Sequence, residues 1–173
     1  RPVKVKLFQN DENLFWKSIP NTDFTNAQGF RGTQDVTVAN SKESVRILIL
    51  GDSCSFLGRK LYAEFLHDKL TRDNPGTPFE IINASVPGYT SFQGEKMLGQ
   101  LLKYKPHYAS IYFGWNDHWI LPSGYSDQFH FELIHSFKVV QLVRIMLARV
   151  MNVRDYRVPL GGYQANLTAM VEQ

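Results

Sequence analysis

The sequence predicts an α/β fold in which a parallel sheet is covered by helices on its faces. Three observations predict it. Val45 to Leu50 is a short, nearly all-apolar run, the pattern of a strand covered on both sides. Strand-like runs begin near residues 45, 79 and 108, spacings that suit successive strand–helix–strand units. Helical patterns lie between them, and crossovers of that kind force the strands to run parallel.

Residues 1–44 carry turn signals at Asn10-Asp11, Pro20-Asn21, Gly29 and Gly32 and no sustained period. They read as an extended arm, with a short strand or two, laid over a core built by residues 45–173. Beyond the first strand, Leu57, Leu61, Phe65 (or Leu66) and Leu70 recur at helical spacing until Asn74-Pro75-Gly76 stops the helix. Phe79 to Val86 is the second strand and Pro87-Gly88 turns it. Thr90 with Gln93 suits a capping box for a helix running to about Tyr104.

Tyr108 to Phe113 is the third strand, followed by Gly114-Trp115-Asn116-Asp117. Residues 118–130, with Pro122, Gly124 and Asp127, are expected to form a loop. A long helix to about Met151 comes next, and its stripe Leu133, Phe137, Val140 and Leu147 reads as a core face. A loop through Pro159-Leu160-Gly161-Gly162 leads to a last helical pattern from Tyr163, still running at Gln173.

Composition narrows the function. With 173 residues, 43% of them hydrophobic and 20% charged, the chain suits one globular domain. Its net charge of +3 comes from scattered basic residues, so nucleic acid is not an expected partner. A single cysteine, Cys54, excludes an internal disulfide framework and a cysteine-based metal cluster. The most apolar long stretch, Phe131 to Met151, contains Glu132, Lys138, Arg144 and Arg149, a poor membrane span. No Gly-x-Gly-x-x-Gly loop follows the first strand, which argues against a nucleotide or flavin domain, and no cofactor or metal is expected.

In an open parallel sheet, sites form beyond the carboxyl ends of the strands. Here those ends carry Gly51-Asp52-Ser53, Val86-Pro87-Gly88 and Gly114-Trp115-Asn116-Asp117. A serine at a strand-to-helix turn is exposed and close to backbone N–H groups at the positive end of a helix. Gly88 lets a backbone N–H approach without a side chain in the way, and Asn116 offers an amide donor. Together the Ser53 N–H, the Gly88 N–H and the Asn116 amide would make a three-donor oxyanion hole.

These residues, in order and spacing, resemble the first three blocks of the SGNH (GDSL) hydrolases, and Asn26-Ala27-Gln28-Gly29-Phe30-Arg31-Gly32 looks like a lead-in found in some bacterial members. The resemblance covers roughly residues 20–171. It implies a flavodoxin-like three-layer α/β/α sandwich and an esterase, lipase or carbohydrate acetylesterase, with Ser53 as nucleophile and Gly88 and Asn116 completing the hole. It also implies a small-molecule, lipid or carbohydrate ester as substrate and an exported bacterial protein. An O-acyltransferase, or a non-catalytic ester- or carbohydrate-binding module of the same fold, are the alternatives.

The family's fourth block, Asp-x-x-His, has no match near the end of the chain. Asp127-Gln128-Phe129-His130 has that spacing but lies only ten residues after Asp117. A helix N-cap beside a histidine is the preferred reading of it, and a base at His130 the less favoured one. The preferred explanation is therefore a C-terminally incomplete chain, whose third strand would present a free edge suited to dimerisation.

Asp52 and Asp117 read as organisers of their loops, and Cys54 as a small buried residue. His67 reads as solvated; His107 and His135 sit with no other potential ligand. His118 reads as packing, with lining the site as the alternative. Trp115, Trp119, Tyr89 and Phe92 are placed around the pocket mouth, with core or rim packing as the default reading and contact with an acyl chain or sugar ring as the alternative.

Overall fold

A computed structural model describes residues 6–40, 43–121 and 123–173; Pro122 and residues 1–5 of the expected arm lie outside the described residues. Two strands, β1 (Phe8–Asp11) and β2 (Phe15–Ser18), form an antiparallel hairpin. Asp11 closes its turn by accepting from the N–H groups of Asn13 and Leu14, both at 2.9 Å. Beyond the hairpin come β3 (Val45–Gly51), α1 (Ser53–Phe56), α2 (Tyr62–Asp73), β4 (Phe79–Asn83), α3 (Ser91–Leu101), β5 (Tyr108–Tyr112), α4 (Asp127–Ile134), α5 (Lys138–Val150) and α6 (Leu160–Glu172).

The three later strands form one parallel sheet in the order β4-β3-β5. Alternation along β3 makes the layers. Leu48 and Leu50 enter the larger core with Leu98 and Leu101 of α3 and Met170 of α6. Ile49 points the other way, against Leu61, Ala63 and Leu66 at the start of α2. The result is a three-layer α/β/α arrangement, as the sequence predicts. The preceding arm contributes Leu14, Phe30 and Val36 to the larger core.

Arg46 is the largest fully buried side chain. Its guanidinium donates to Glu80 and to the carbonyls of Thr37, Val38, Ala39 and Tyr104, tying the arm and the short turn after α3 to the base of β3. Charge-assisted bonds of this number offset the cost of burying the cation.

Several boundaries differ from expectation. The second strand ends at Asn83 rather than Val86, because the Asn83 side chain turns inward to donate to Ser55 O and accept from Ser85 N–H. The helical pattern from Leu57 starts only at Tyr62. Leu57 is exposed and Gly58, at φ +141°, breaks the chain between a single turn, α1, and α2.

The expected loop over residues 118–130 and the long helix to Met151 are also corrected. α4 begins at Asp127, capped by Ser126, whose hydroxyl accepts from Phe129 N–H at 3.2 Å. The helix then breaks at His135–Phe137, where the Ser136 hydroxyl turns back onto Glu132 O and Phe137 is extended. The break swings α5 away from the register of α4. Of the expected core stripe only Leu133 is buried; Phe137 (86% exposed), Val140 and Leu147 are not. On α5 the one buried residue is Ala148. No helix among the described residues is long and apolar enough to cross a membrane.

Candidate active site

Ser53 stands one residue beyond β3, after Asp52, and is half-buried. It opens the one-turn α1, and Asp52, fully buried, caps that turn by accepting from Cys54 N–H at 2.8 Å. The expected long helix at Ser53, with its summed dipole, is therefore replaced by a single turn. What remains are individual N–H groups. Cys54 N–H is taken by Asp52, and Ser55 and Phe56 donate to Asp52 O. The Ser53 N–H makes no hydrogen bond among the described residues.

Gly51 is required here by space. A Cβ at this position would lie 2.8 Å from Ser55 Oγ and 3.1 Å from Tyr112 O. Gly88 is required by conformation, at φ +83°, and its Cα faces the Trp16 ring so closely that a Cβ would meet it at 3.0 Å. Its N–H also makes no hydrogen bond among the described residues.

The loop after β5 comes to meet both. Asn116 Nδ2 donates to Asp52 Oδ2 at 3.2 Å and to Tyr89 O at 2.9 Å. One nitrogen thus joins the residue before Ser53 to the residue after Gly88, and the three loops named from the sequence share one rim. Both Asn116 protons are occupied, however. To donate to a bound oxygen, the amide has to give up one of these partners.

Asp117, beside it, is a loop organiser. Its carboxylate accepts from Gly114 N–H at 3.0 Å and from the N–H and hydroxyl of Ser91, and Asn166 of α6 donates to the same Ser91 hydroxyl. These bonds anchor the Asn116 loop to α3 and α6.

The pair Asp127 and His130 is not assembled as an acid–base dyad. Asp127 is buried and accepts from Arg157 Nε at 3.1 Å, Arg157 Nη2 at 2.9 Å and Thr90 Oγ at 2.8 Å. His130 is exposed, its ring packed edge-on to Phe15 at 5.1 Å between centroids. None of the other histidines is hydrogen-bonded to Ser53 either. His107 Nδ1 accepts from Arg46 N–H, and His118 and His135 lie against Gly114 O and Phe131 O. His67 is exposed on α2 near Asp68. Histidine rings therefore leave the Ser53 hydroxyl without a partner.

Two further expectations are corrected. Tyr89 and Phe92 do not rim a pocket but lie in the core, because the Tyr89 hydroxyl is drawn inward to Trp16 O at 2.7 Å and Phe92 stacks on Phe15. Burial holds the Tyr89 phenol well above its ordinary pKa. Trp115 and Trp119 do stand exposed beside the Asn116 loop, flanking His118. Cys54 is exposed rather than buried, in a depression with Tyr62, Ser110 and Tyr112 on the uncovered side of β5. Among the described residues no group of three or more His, Cys, Asp or Glu is placed to hold a metal.

The sequence reading missed Trp16 and Arg157, both of which reach the Gly88 turn. Trp16 Nε1 donates to Pro87 O at 3.1 Å, and Arg157 Nη1 donates to Gly88 O at 2.7 Å. Separations of 71 and 69 residues leave no local signal for either contact.

No family model and no curated protein matches the sequence. Solved structures do. TesA matches at 23% identity and a TM-score of 0.46, over 73% of this chain and 52% of its own. The psychrotrophic esterase EstA from Pseudoalteromonas sp., in a structure inhibited by monoethylphosphonate, matches at 25% identity and 0.44, over 75% and 52%. AlinE4, an SGNH-hydrolase family esterase, matches at 22% identity and 0.40, over 75% and 72%. The chain spans about half the length of the first two.

Proposed function

We propose that the rim formed by Ser53, Gly88 and Asn116 is the site of a serine hydrolase acting on carboxylic esters through an acyl-serine intermediate. The observation that carries the reading is the Asn116 amide, which bridges Asp52 and Tyr89 and so gathers the loops of Ser53 and Gly88 onto one edge of the sheet.

In the proposed reaction, Ser53 Oγ attacks the ester carbon while a base takes its proton, and the carbonyl electron pair moves onto oxygen. The free N–H groups of Ser53 and Gly88 stabilise that anion. Asn116 joins them by exchanging its longer bond, to Asp52, for one to the substrate oxygen; Asp52 keeps Cys54 N–H as a partner. Collapse of the tetrahedral species expels the alcohol, which takes up the proton, and water then releases the acid from the acyl-serine.

The proposal needs a base beyond the five histidines of this chain. Added imidazole can stand in for it. Incubation with a fluorophosphonate should add the phosphonyl mass to Ser53, faster with imidazole, and Ser53→Ala should abolish the gain. Failure of Ser53 to gain mass even with imidazole overturns the reading. The second reading, a binding module of the same fold, is favoured by the lack of any histidine hydrogen-bonded to Ser53 among the described residues; ester or carbohydrate binding that survives Ser53→Ala, without any labelling, would establish it.

A further inference from the structure

We infer that Trp16 is a positioning residue for the Gly88 N–H, and that the N-terminal hairpin thereby supports the proposed oxyanion hole. The inference rests on the ester-hydrolase reading and adds to it a residue that does not touch the substrate.

A peptide group is a rigid plane with its C=O and N–H pointing in opposite directions. The carbonyl of Pro87 and the N–H of Gly88 belong to one such plane. By donating to Pro87 O at 3.1 Å, the Trp16 indole fixes that plane, and with it the aim of the free Gly88 N–H. Such fixing matters at Gly88, because a glycine at φ +83° has no Cβ to restrain it and rotates at little cost. The adjoining plane, Gly88 O with Tyr89 N–H, is held separately by Arg157 Nη1 at 2.7 Å and by Tyr89 N–H donation to Val86 O at 3.2 Å. The two peptide planes that flank Gly88 are therefore each held from outside the turn, by Trp16 and by Arg157, and the turn's own Tyr89–Val86 bond adds to the second.

Trp16 is itself well placed to act as an anchor. It is carried by β2, its ring packs edge-on against Tyr89 at 5.7 Å, and the Arg157 guanidinium lies 5.8 Å from its ring centre. Tyr89 returns the bond from the other side, donating to Trp16 O. An oxyanion-hole donor acts only if it points at the place where charge develops, so an anchor that sets direction alters rate without altering binding of a neutral ligand.

The test replaces Trp16 by benzothienylalanine, which keeps the bicyclic ring and lacks the N–H, with Trp16→Phe as a second variant. Two quantities are followed: the Gly88 amide signal in ¹H–¹⁵N spectra, and the rate at which Ser53 is phosphonylated in the presence of imidazole. The unaltered protein should give one sharp Gly88 signal. In the variants the signal should shift and broaden, and phosphonylation should slow about tenfold, a part of the 10²–10³ that loss of a whole donor costs. An unchanged melting temperature in the benzothienyl protein separates this from misfolding. Normal labelling of the unaltered protein together with an unchanged variant rate overturns the positioning role alone. Absence of labelling in the unaltered protein overturns the hydrolase reading first, and the inference with it.

Discussion

Asp127 and Arg157 form a two-pronged ion pair, with guanidinium nitrogens 3.1 and 2.9 Å from the carboxylate oxygens and both side chains buried. The same two residues are joined through their backbones, Asp127 N–H donating to Arg157 O at 2.7 Å. The start of α4 is thereby fastened to the segment that leads into α6. Removing the cation leaves a buried carboxylate facing only Thr90. Arg157→Met should therefore cost about 3–5 kcal/mol, and pairing it with Asp127→Leu should restore most of that loss. Urea unfolding of the single and double variants checks both figures.

Asn116 is expected to matter more for chemistry than for stability. Asn116→Ala should slow imidazole-assisted phosphonylation of Ser53 by about 10²–10³ while costing about 1–2 kcal/mol in unfolding free energy. Intact-protein mass spectrometry against time, together with a denaturation curve, measures the two effects on one sample.

Acid should loosen the hairpin. Burial alone would raise the Asp11 pKa, but donation from Lys17, Leu14 and Asn13 outweighs it and the net shift is downward from 3.8. A depressed folded value means that stability is fully present above the unfolded pKa and is lost as pH falls below about 4 through the folded value. Asp11→Asn should flatten that acid limb, read as melting temperature against pH.

At Cys54 the expected pH dependence runs the other way. Although Cys54 is exposed, partial desolvation of its thiol first, and the neighbouring Asp52 second, shift it upward from its ordinary value. Alkylation by iodoacetamide should accordingly keep accelerating beyond pH 9, since only the thiolate attacks. A rate that levels off near pH 8 would contradict this assignment.

Self-association should be governed by α5. Val139, Val143, Met146 and Val150 point away from the body of the protein as one exposed apolar stripe, whereas the free edge of β5 offers mainly Tyr108 and Tyr112. Met146→Glu should lower the average mass in concentrated solution by light scattering more than Tyr112→Lys does.

The three-stranded sheet was legible in the sequence because its signals are local. An apolar run such as Val45 to Leu50 has few ways to be buried, and glycine turns follow two of the strands. The break between α4 and α5 was not legible. His135, Ser136 and Phe137 carry no proline or glycine, and it is a side chain-to-backbone bond, Ser136 to Glu132, that ends α4. At the candidate site, Ser53, Gly88 and Asn116 are visible as punctuation at strand ends. What the punctuation could not convey is the traffic between distant segments: Asn116 already engaged by Asp52 and Tyr89, Arg157 occupying the Asp127 of the Asp-x-x-His string, and Cys54 turned outward.

The indole over the Pro87 carbonyl also bears on where this protein can be cut. A shortened version beginning at Val45 would retain the parallel strands and all three signature loops, and would look intact by sequence comparison. It would nonetheless shed the crossbeam under Pro87, leaving the Pro87–Gly88 peptide plane without its outside anchor. Trimming the chain to its most recognisable part would thus loosen the proposed reactive edge, and it would also strip Leu14, Phe30 and Val36 from the core and three carbonyl partners from buried Arg46.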